Sequence, residues 1–210
     1  MEIVLNSLGK RYNKQWIFRN LSIELKQGSR YAILGANGSG KSTLLQTIAG
    51  YRLPSEGNIA IRISGKTIPS VQIYDHITIA SPYLELIEDF TIDELLKFHF
   101  RLKQLAPGMT TMAFKEKLQM KQINNKPIRQ YSSGMKQRLR LALAFFTASE
   151  AVLLDEPCSN LDASGIEWYR NLLNSYSENR MLIICSNHHQ NEYSPCDLTI
   201  EMGSYKQAKL

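Results

Sequence analysis

Gly35-Ala36-Asn37-Gly38-Ser39-Gly40-Lys41-Ser42 has the pattern G-x-x-x-x-G-K-[ST], and its flanks define how it is built. Upstream, a turn at Gln27-Gly28 leads into the short apolar run Tyr31 to Leu34, which predicts a strand. Downstream, Leu44, Leu45 and Ile48 recur at helical spacing from Ser42 to Ala49, and Gly50 supplies a stop. Strand, glycine-rich loop and helix in that order make a phosphate-binding loop. The glycines let successive N–H groups curl around an anion, and the helix N-terminus adds a favourable dipole. Lys41 is expected to neutralise terminal phosphates, and the Ser42 hydroxyl to ligate magnesium.

Beyond the loop, period-two alternation predicts strands over Glu2 to Ser7, Leu21 to Leu25 and Asn58 to Ser64, with a further strand at Ile77 to Ala80. From about Phe90 to Ala148 the spacing becomes helical. Thr91 is a candidate cap for a helix that runs into Leu95, Leu96, Phe98 and Phe100 and breaks at Pro107-Gly108. A second helix is expected at Thr111 to Lys121, then a polar connector and a third helix after Ser132. Ala151 to Leu154 is wholly apolar and ends in Asp155-Glu156, as a buried parallel strand delivering carboxylates at its carboxyl end would. One carboxylate of that pair can hold magnesium while its neighbour aims at a water attacking the terminal phosphate. Met181 to Cys185 repeats the design and leads to Ser186, Asn187 and His188.

The chain has 210 residues, 43% of them hydrophobic. That is enough for one substantial core, a single domain over 1–210 with a helical subdomain from about Pro82 to Ala148. The formal charge is +6, but Lys and Arg are interleaved with acidic residues, so no nucleic-acid surface is expected. The three cysteines, Cys158, Cys185 and Cys196, match no zinc spacing and leave one thiol unpaired in any disulfide scheme, which fits a reducing cytoplasm. Met1 to Lys10 predicts a strand rather than a signal peptide. The most apolar stretch, Leu139 to Ala148, carries Arg140 and falls well short of the roughly eighteen residues needed for a span. A soluble chain, linked to any membrane only through a partner, is the expectation.

Along nearly its whole length the sequence resembles the ATP-binding-cassette ATPases, in several ordered pieces. Tyr131-Ser132-Ser133-Gly134-Met135-Lys136-Gln137-Arg138 resembles the family's signature segment at the start of a helix. Ser159-Asn160-Leu161-Asp162 resembles the D-loop that follows Asp-Glu-Pro, and His188 sits where the family has its switch histidine. Tyr12 is placed like the aromatic that stacks on adenine, with Trp16 and Phe18 as nearby competitors; Ile17, Phe18 and Leu21 are expected in the core.

The resemblance implies an α/β phosphate-loop NTPase fold with an antiparallel β subdomain and an inserted helical subdomain. It implies ATP and magnesium as ligands: ATP on Tyr12 and on Gly35, Ala36, Asn37, Gly38, Ser39, Gly40, Lys41, Ser42 and Thr43, and the metal on Ser42 and Asp155. Glu156, His188 and Lys41 would be catalytic, with His188 contacting the terminal phosphate. Ser132, Ser133 and Gly134 put hydroxyls and N–H groups at a helix N-terminus, an anion site that in the family faces ATP held by a second cassette. The implied assembly is therefore a pair of cassettes, here a homodimer, on a membrane-spanning permease at the inner face of the cell membrane. A soluble cassette protein acting on a macromolecular complex is the alternative.

Two positions depart from the family pattern. Pro82 falls about where the family has a glutamine that touches magnesium; proline offers neither a side-chain oxygen nor an N–H, so Ser81 or Glu85 would have to substitute, or the metal would keep a water. Ser133 replaces the first signature glycine and adds a side chain where backbone must approach phosphate closely.

Overall fold

The computed structural model describes residues 1–121, 123 and 126–205. In chain order the elements are β1 (Glu2–Tyr12), β2 (Gln15–Lys26), β3 (Arg30–Leu34), α1 (Lys41–Ile48), β4 (Glu56–Ile63), β5 (Lys66–Thr67), α2 (Ile73–His76) and β6 (Ile77–Ala80). There follow α3 (Ile92–Leu102), α4 (Thr111–Lys117), α5 (Ser133–Phe145), β7 (Ala151–Asp155), α6 (Ala163–Tyr176), β8 (Met181–Ser186), α7 (Gln190–Tyr193) and β9 (Leu198–Glu201). Part of the polar connector expected before α5 lies outside the described residues.

Two sheets form. A four-stranded sheet in the order β2-β1-β4-β5 pairs its neighbours antiparallel, as the period-two alternation of β1, β2 and β4 predicts. A five-stranded sheet in the order β6-β7-β8-β3-β9 is wholly parallel. Its central strands are apolar on both faces because both faces are covered. Val152, Leu154, Leu182 and Ile184 pack with α3, α5 and α6, whereas Leu153, Ile183, Ile33 and Tyr31 pack with α1 and the antiparallel sheet.

The helical segment closes through aromatic edges. Phe114 on α4 is fully buried and meets Phe100 at 6.1 Å and Phe146 at 5.2 Å, and Phe146 meets Tyr176 of α6 at 4.9 Å. The cap expected at Thr91 is a full capping box, with the Glu94 N–H donating to the Thr91 hydroxyl and the Thr91 N–H donating to the Glu94 carboxylate.

Residues 198–205 form β9 and a 3-10 turn over Met202–Tyr205, which the sequence patterns do not mark. β9 pairs with β3 at the sheet edge, and Ile200 and Met202 are buried beneath the phosphate loop. Four residues give too short an alternation to distinguish a strand from a solvated tail without knowing that β3 presents a free edge there.

Because Phe114 knits α4 to α3 and to the end of α5, Phe114→Ala is expected to lower stability by about 3–5 kcal/mol. A urea titration followed by circular dichroism would read this as a lower midpoint at unchanged slope.

Candidate active site

Three neighbouring strands deliver the chemistry at one edge of the parallel sheet. β3 ends at Leu34 and runs into the loop, β7 ends at Asp155-Glu156, and β8 ends at Ser186 before His188; Leu34 pairs with Ser186, and Asp155 with Cys185. The loop has the backbone its glycines permit. Gly35, Gly38 and Gly40 hold φ at +152°, +74° and +102°. A Cβ on Gly35 would lie 2.7 Å from the Ser39 hydroxyl, and one on Gly40 would lie 2.7 Å from Ile17 Cγ2. Gly40 is the N-cap of α1, so the first free N–H groups of that helix begin at Lys41.

Lys41 is only 4% exposed, and its ammonium donates to the carbonyls of Gly35 (2.7 Å) and Ala36 (3.1 Å). The cation is therefore stored against neutral acceptors of its own loop. Asp155 is buried. Its Oδ2 accepts from the Ser81 hydroxyl at 3.0 Å, while its Oδ1, like the Ser39 hydroxyl, has no hydrogen-bond partner among the described residues. Burial pushes the Asp155 carboxyl above the usual range, and the nearby Glu156 adds to this; the Ser42 and Ser81 hydroxyls and Lys41 pull the other way. An orphaned carboxylate oxygen beside Ser42 is what a divalent cation satisfies, so these residues fit magnesium.

One cleft of about 370 Å³ gathers Asn37, Gly38, Gly40, Lys41, Ser42, Thr43 and Glu156, with Ile17 and Tyr83 as walls. Glu156 adopts φ +46°, its N–H donates to Cys185 O at 2.9 Å, and Ser159 Oγ donates to its carboxylate at 3.4 Å. His188 is an exposed residue at φ +59° on the turn after β8 and is not among the cleft walls. Tyr12, at the end of β1, is also outside the cleft; it is 40% exposed, with Lys10 and Arg52 over its ring at 5.2 and 5.6 Å. Ile17, expected in the core, is half-buried and lines the cleft as well, whereas Phe18 and Leu21 are fully buried. Tyr83 was not anticipated, because an exposed aromatic in a loop has no periodicity to mark it.

The signature residues form a second cleft, also about 370 Å³, with Arg138, Asn160 and Asp162. Ser132 is the N-cap of α5 and accepts from the Met135 N–H at 3.2 Å. Ser133 opens the helix and is exposed, so its side chain is accommodated. The tight position is Gly134, where a Cβ would lie 2.8 Å from Asn160 O. Asp162 caps α6, accepting from the Gly165 N–H at 2.7 Å and the Ser164 hydroxyl at 2.9 Å.

Comparison with known proteins agrees with this geometry. The ABC transporter family profile matches residues 18–159. The ATP-binding protein YybJ of Bacillus subtilis, named as an uncharacterized ABC transporter component, is 29% identical over 202 residues, covering 95% of this chain and 91% of its own. The lantibiotic transport ATP-binding protein SrtF of Streptococcus pyogenes is 26% identical over 200 residues, with coverages of 88% and 79%. A dimeric ATP-binding cassette solved in a post-hydrolysis state with ADP and phosphate superposes with a TM-score of 0.79 at 22% identity, covering 97% of this chain and 94% of that one. The chain belongs to the ABC transporter family, as an ATP-binding and ATP-hydrolysing subunit of it.

Gly40→Ala combines a strained φ with a collision against Ile17. It is expected to weaken binding of a fluorescent ATP analogue at least about tenfold, whereas Gly203→Ala, which faces open space, leaves binding unchanged.

Proposed function

We propose that the chain hydrolyses ATP between two copies of itself and that the pair powers a separate membrane-spanning permease. The observation that carries this reading is the division of the site. The phosphate-loop cleft and the signature cleft share no lining residue, so each chain offers half of two composite sites. Two chains arranged head to tail would set the N-terminus of α5 in one against the phosphates held by the other. The relative solved as a dimer with ADP and phosphate supports that arrangement.

Within one half-site, Lys41 exchanges the carbonyls of Gly35 and Ala36 for the terminal phosphates of ATP. Ser42 and Asp155 would hold magnesium, which supplies charge neutralisation to the phosphate oxygens when bound. Glu156 lies in the same cleft as Lys41 and is the group placed to accept a proton from the attacking water. His188, on the turn after β8, reaches the terminal phosphate when the cassettes close, and Tyr12 stacks on the base from the β1 edge. Asp162 and the pair Ser132 and Gly134 complete the opposite half-site, with Ser133 beside them.

No helix among the described residues is long and apolar enough to cross a membrane. The relatives named as transport ATP-binding proteins support a permease partner at the inner membrane face. Tagged chain recovered from gently solubilised native membranes with ATP is expected to bring down a multi-span protein in stoichiometric amount. Recovery from the soluble fraction alone, with ribosomes or an assembly factor, would move the function to a non-transport cassette.

Glu156→Gln keeps the volume but not the base. It is expected to bind ATP normally, lose about a hundredfold or more in kcat, and run as a dimer in gel filtration with ATP while the wild type reverts to monomer as ATP is consumed. Wild-type turnover in the variant would remove Glu156 from the mechanism.

A further inference from the structure

Glu192 is a buried carboxylate, 3% exposed, that the mechanism above does not use. It sits on the single turn of α7, which follows β8, and each of its oxygens meets a different loop. Oε2 accepts from the Ser186 hydroxyl at the end of β8. The same hydroxyl accepts from the His189 N–H at 3.1 Å, so Ser186 brackets the turn that carries His188. Oε1 accepts from the Cys158 N–H at 3.1 Å, at the start of the segment that leads from Glu156 to Asp162. That segment folds back on itself, with the Ser159 N–H donating to Glu156 O at 3.0 Å and the Leu161 N–H donating to Cys158 O at 3.1 Å. The backbone of Glu192 is fixed from behind: its carbonyl accepts from the Tyr169 hydroxyl at 2.8 Å, and its N–H donates to His189 O at 2.9 Å.

We infer that Glu192 is a positioning residue for hydrolysis, its carboxylate tying the turn that carries His188 to the loop that carries Glu156 and Asp162 so that the two loops keep one relative placement. The inference rests on the roles given above to Glu156 and His188. Its physical basis is the match between a two-oxygen acceptor and two donors from loops that diverge beyond the Glu156 N–H to Cys185 O bond at the strand ends. Ionised carboxylate is the form that accepts both. Burial holds the Glu192 carboxyl above its usual range, and the Ser186 and Cys158 donors offset this only in part. A glutamine of the same shape has one acceptor and one donor end. With its oxygen on the Cys158 N–H its amide faces Ser186, whose hydroxyl has to turn from donor to acceptor, so both charge-assisted bonds give way to weaker neutral ones.

The test is Glu192→Gln in the full chain, with Ser186→Ala as a second variant that removes only the His188 side of the tie. Hydrogen–deuterium exchange of the nucleotide-free protein is expected to quicken in both the 158–162 and 186–190 segments of Glu192→Gln, and chiefly in 186–190 of Ser186→Ala. The phosphate loop at 35–43 should stay unchanged in both. Affinity for ATP should stay within about threefold of wild type while kcat falls roughly ten- to hundredfold, the signature of misplaced groups rather than lost binding. Exchange that changes in only one segment of Glu192→Gln, or a kcat equal to wild type, overturns the tie. So does a loss of ATP affinity in step with kcat. A wild-type chain that turns over no ATP would sink the ATPase reading, and the exchange pattern would still decide whether the two loops are tied.

Discussion

The site depends on the register of three parallel strands. Asp155 pairs with Cys185 and Leu34 with Ser186, so the carboxylates, the phosphate loop and the histidine turn leave the sheet at one level. What holds that register is burial on both faces, with Val152 and Leu154 under the helices and Ala151 and Leu153 against α1 and the β subdomain. A slip of one residue would exchange these faces and carry Asp155 away from Ser81. Hydrophobic alternation therefore sets the geometry of the candidate site.

Two charges sit where water is scarce, and each is only partly compensated. Among the described residues Lys41 is held by two carbonyls and no carboxylate, and Asp155 has one hydroxyl and one bare oxygen. Burying charge in this way costs stability, and under the proposed function a triphosphate and a divalent cation would be the partners each group lacks. The signature cleft follows the same logic with neutral groups. Gly134 is packed so closely under Asn160 O that the N-terminus of α5 and the D-loop form one surface. Gln137, fully buried, ties that helix to Pro157 by donating to its carbonyl at 3.0 Å, so the signature helix is anchored beside Glu156.

Much of this could be read from the chain alone, because the informative features are local. The glycines of the loop, the apolar runs closed by Asp155 and by Ser186, and the capping residues Thr91 and Ser132 each express a short-range rule, and the structure bears out the elements they predict. Features that depend on which elements become neighbours were not legible. β9 forms only because β3 has an open edge, Tyr83 lines the cleft only because the loop after β6 folds over it, and Glu192 is buried only because α6 and β8 close around it. Tyr12 shows the opposite limit. Its position along the chain resembles that of a stacking aromatic, but its place relative to the cleft depends on the bulged pairing of β1 with β2, with register shifts near Leu8 and Lys10.

The proline at position 82 becomes intelligible in the same terms. Where the family pattern has a glutamine, this chain has Ser81 one residue earlier and only 1% exposed; it hydrogen-bonds Asp155, and its oxygen accepts from the Tyr83 N–H at 3.4 Å. Glu85, the other substitute considered, lines the groove between the core and the helical segment rather than the phosphate cleft. The far end of the same loop is fastened by Arg140 of α5, which donates to Leu84 O at 2.9 Å, and the loop forms one wall of that groove of about 380 Å³. Proline between Ser81 and Tyr83 leaves no amide unsatisfied, and its fixed φ stiffens the connection. Ser81 and the loop braced by Arg140 therefore join Asp155 to the groove wall by hydrogen bonds, with no glutamine side chain in between.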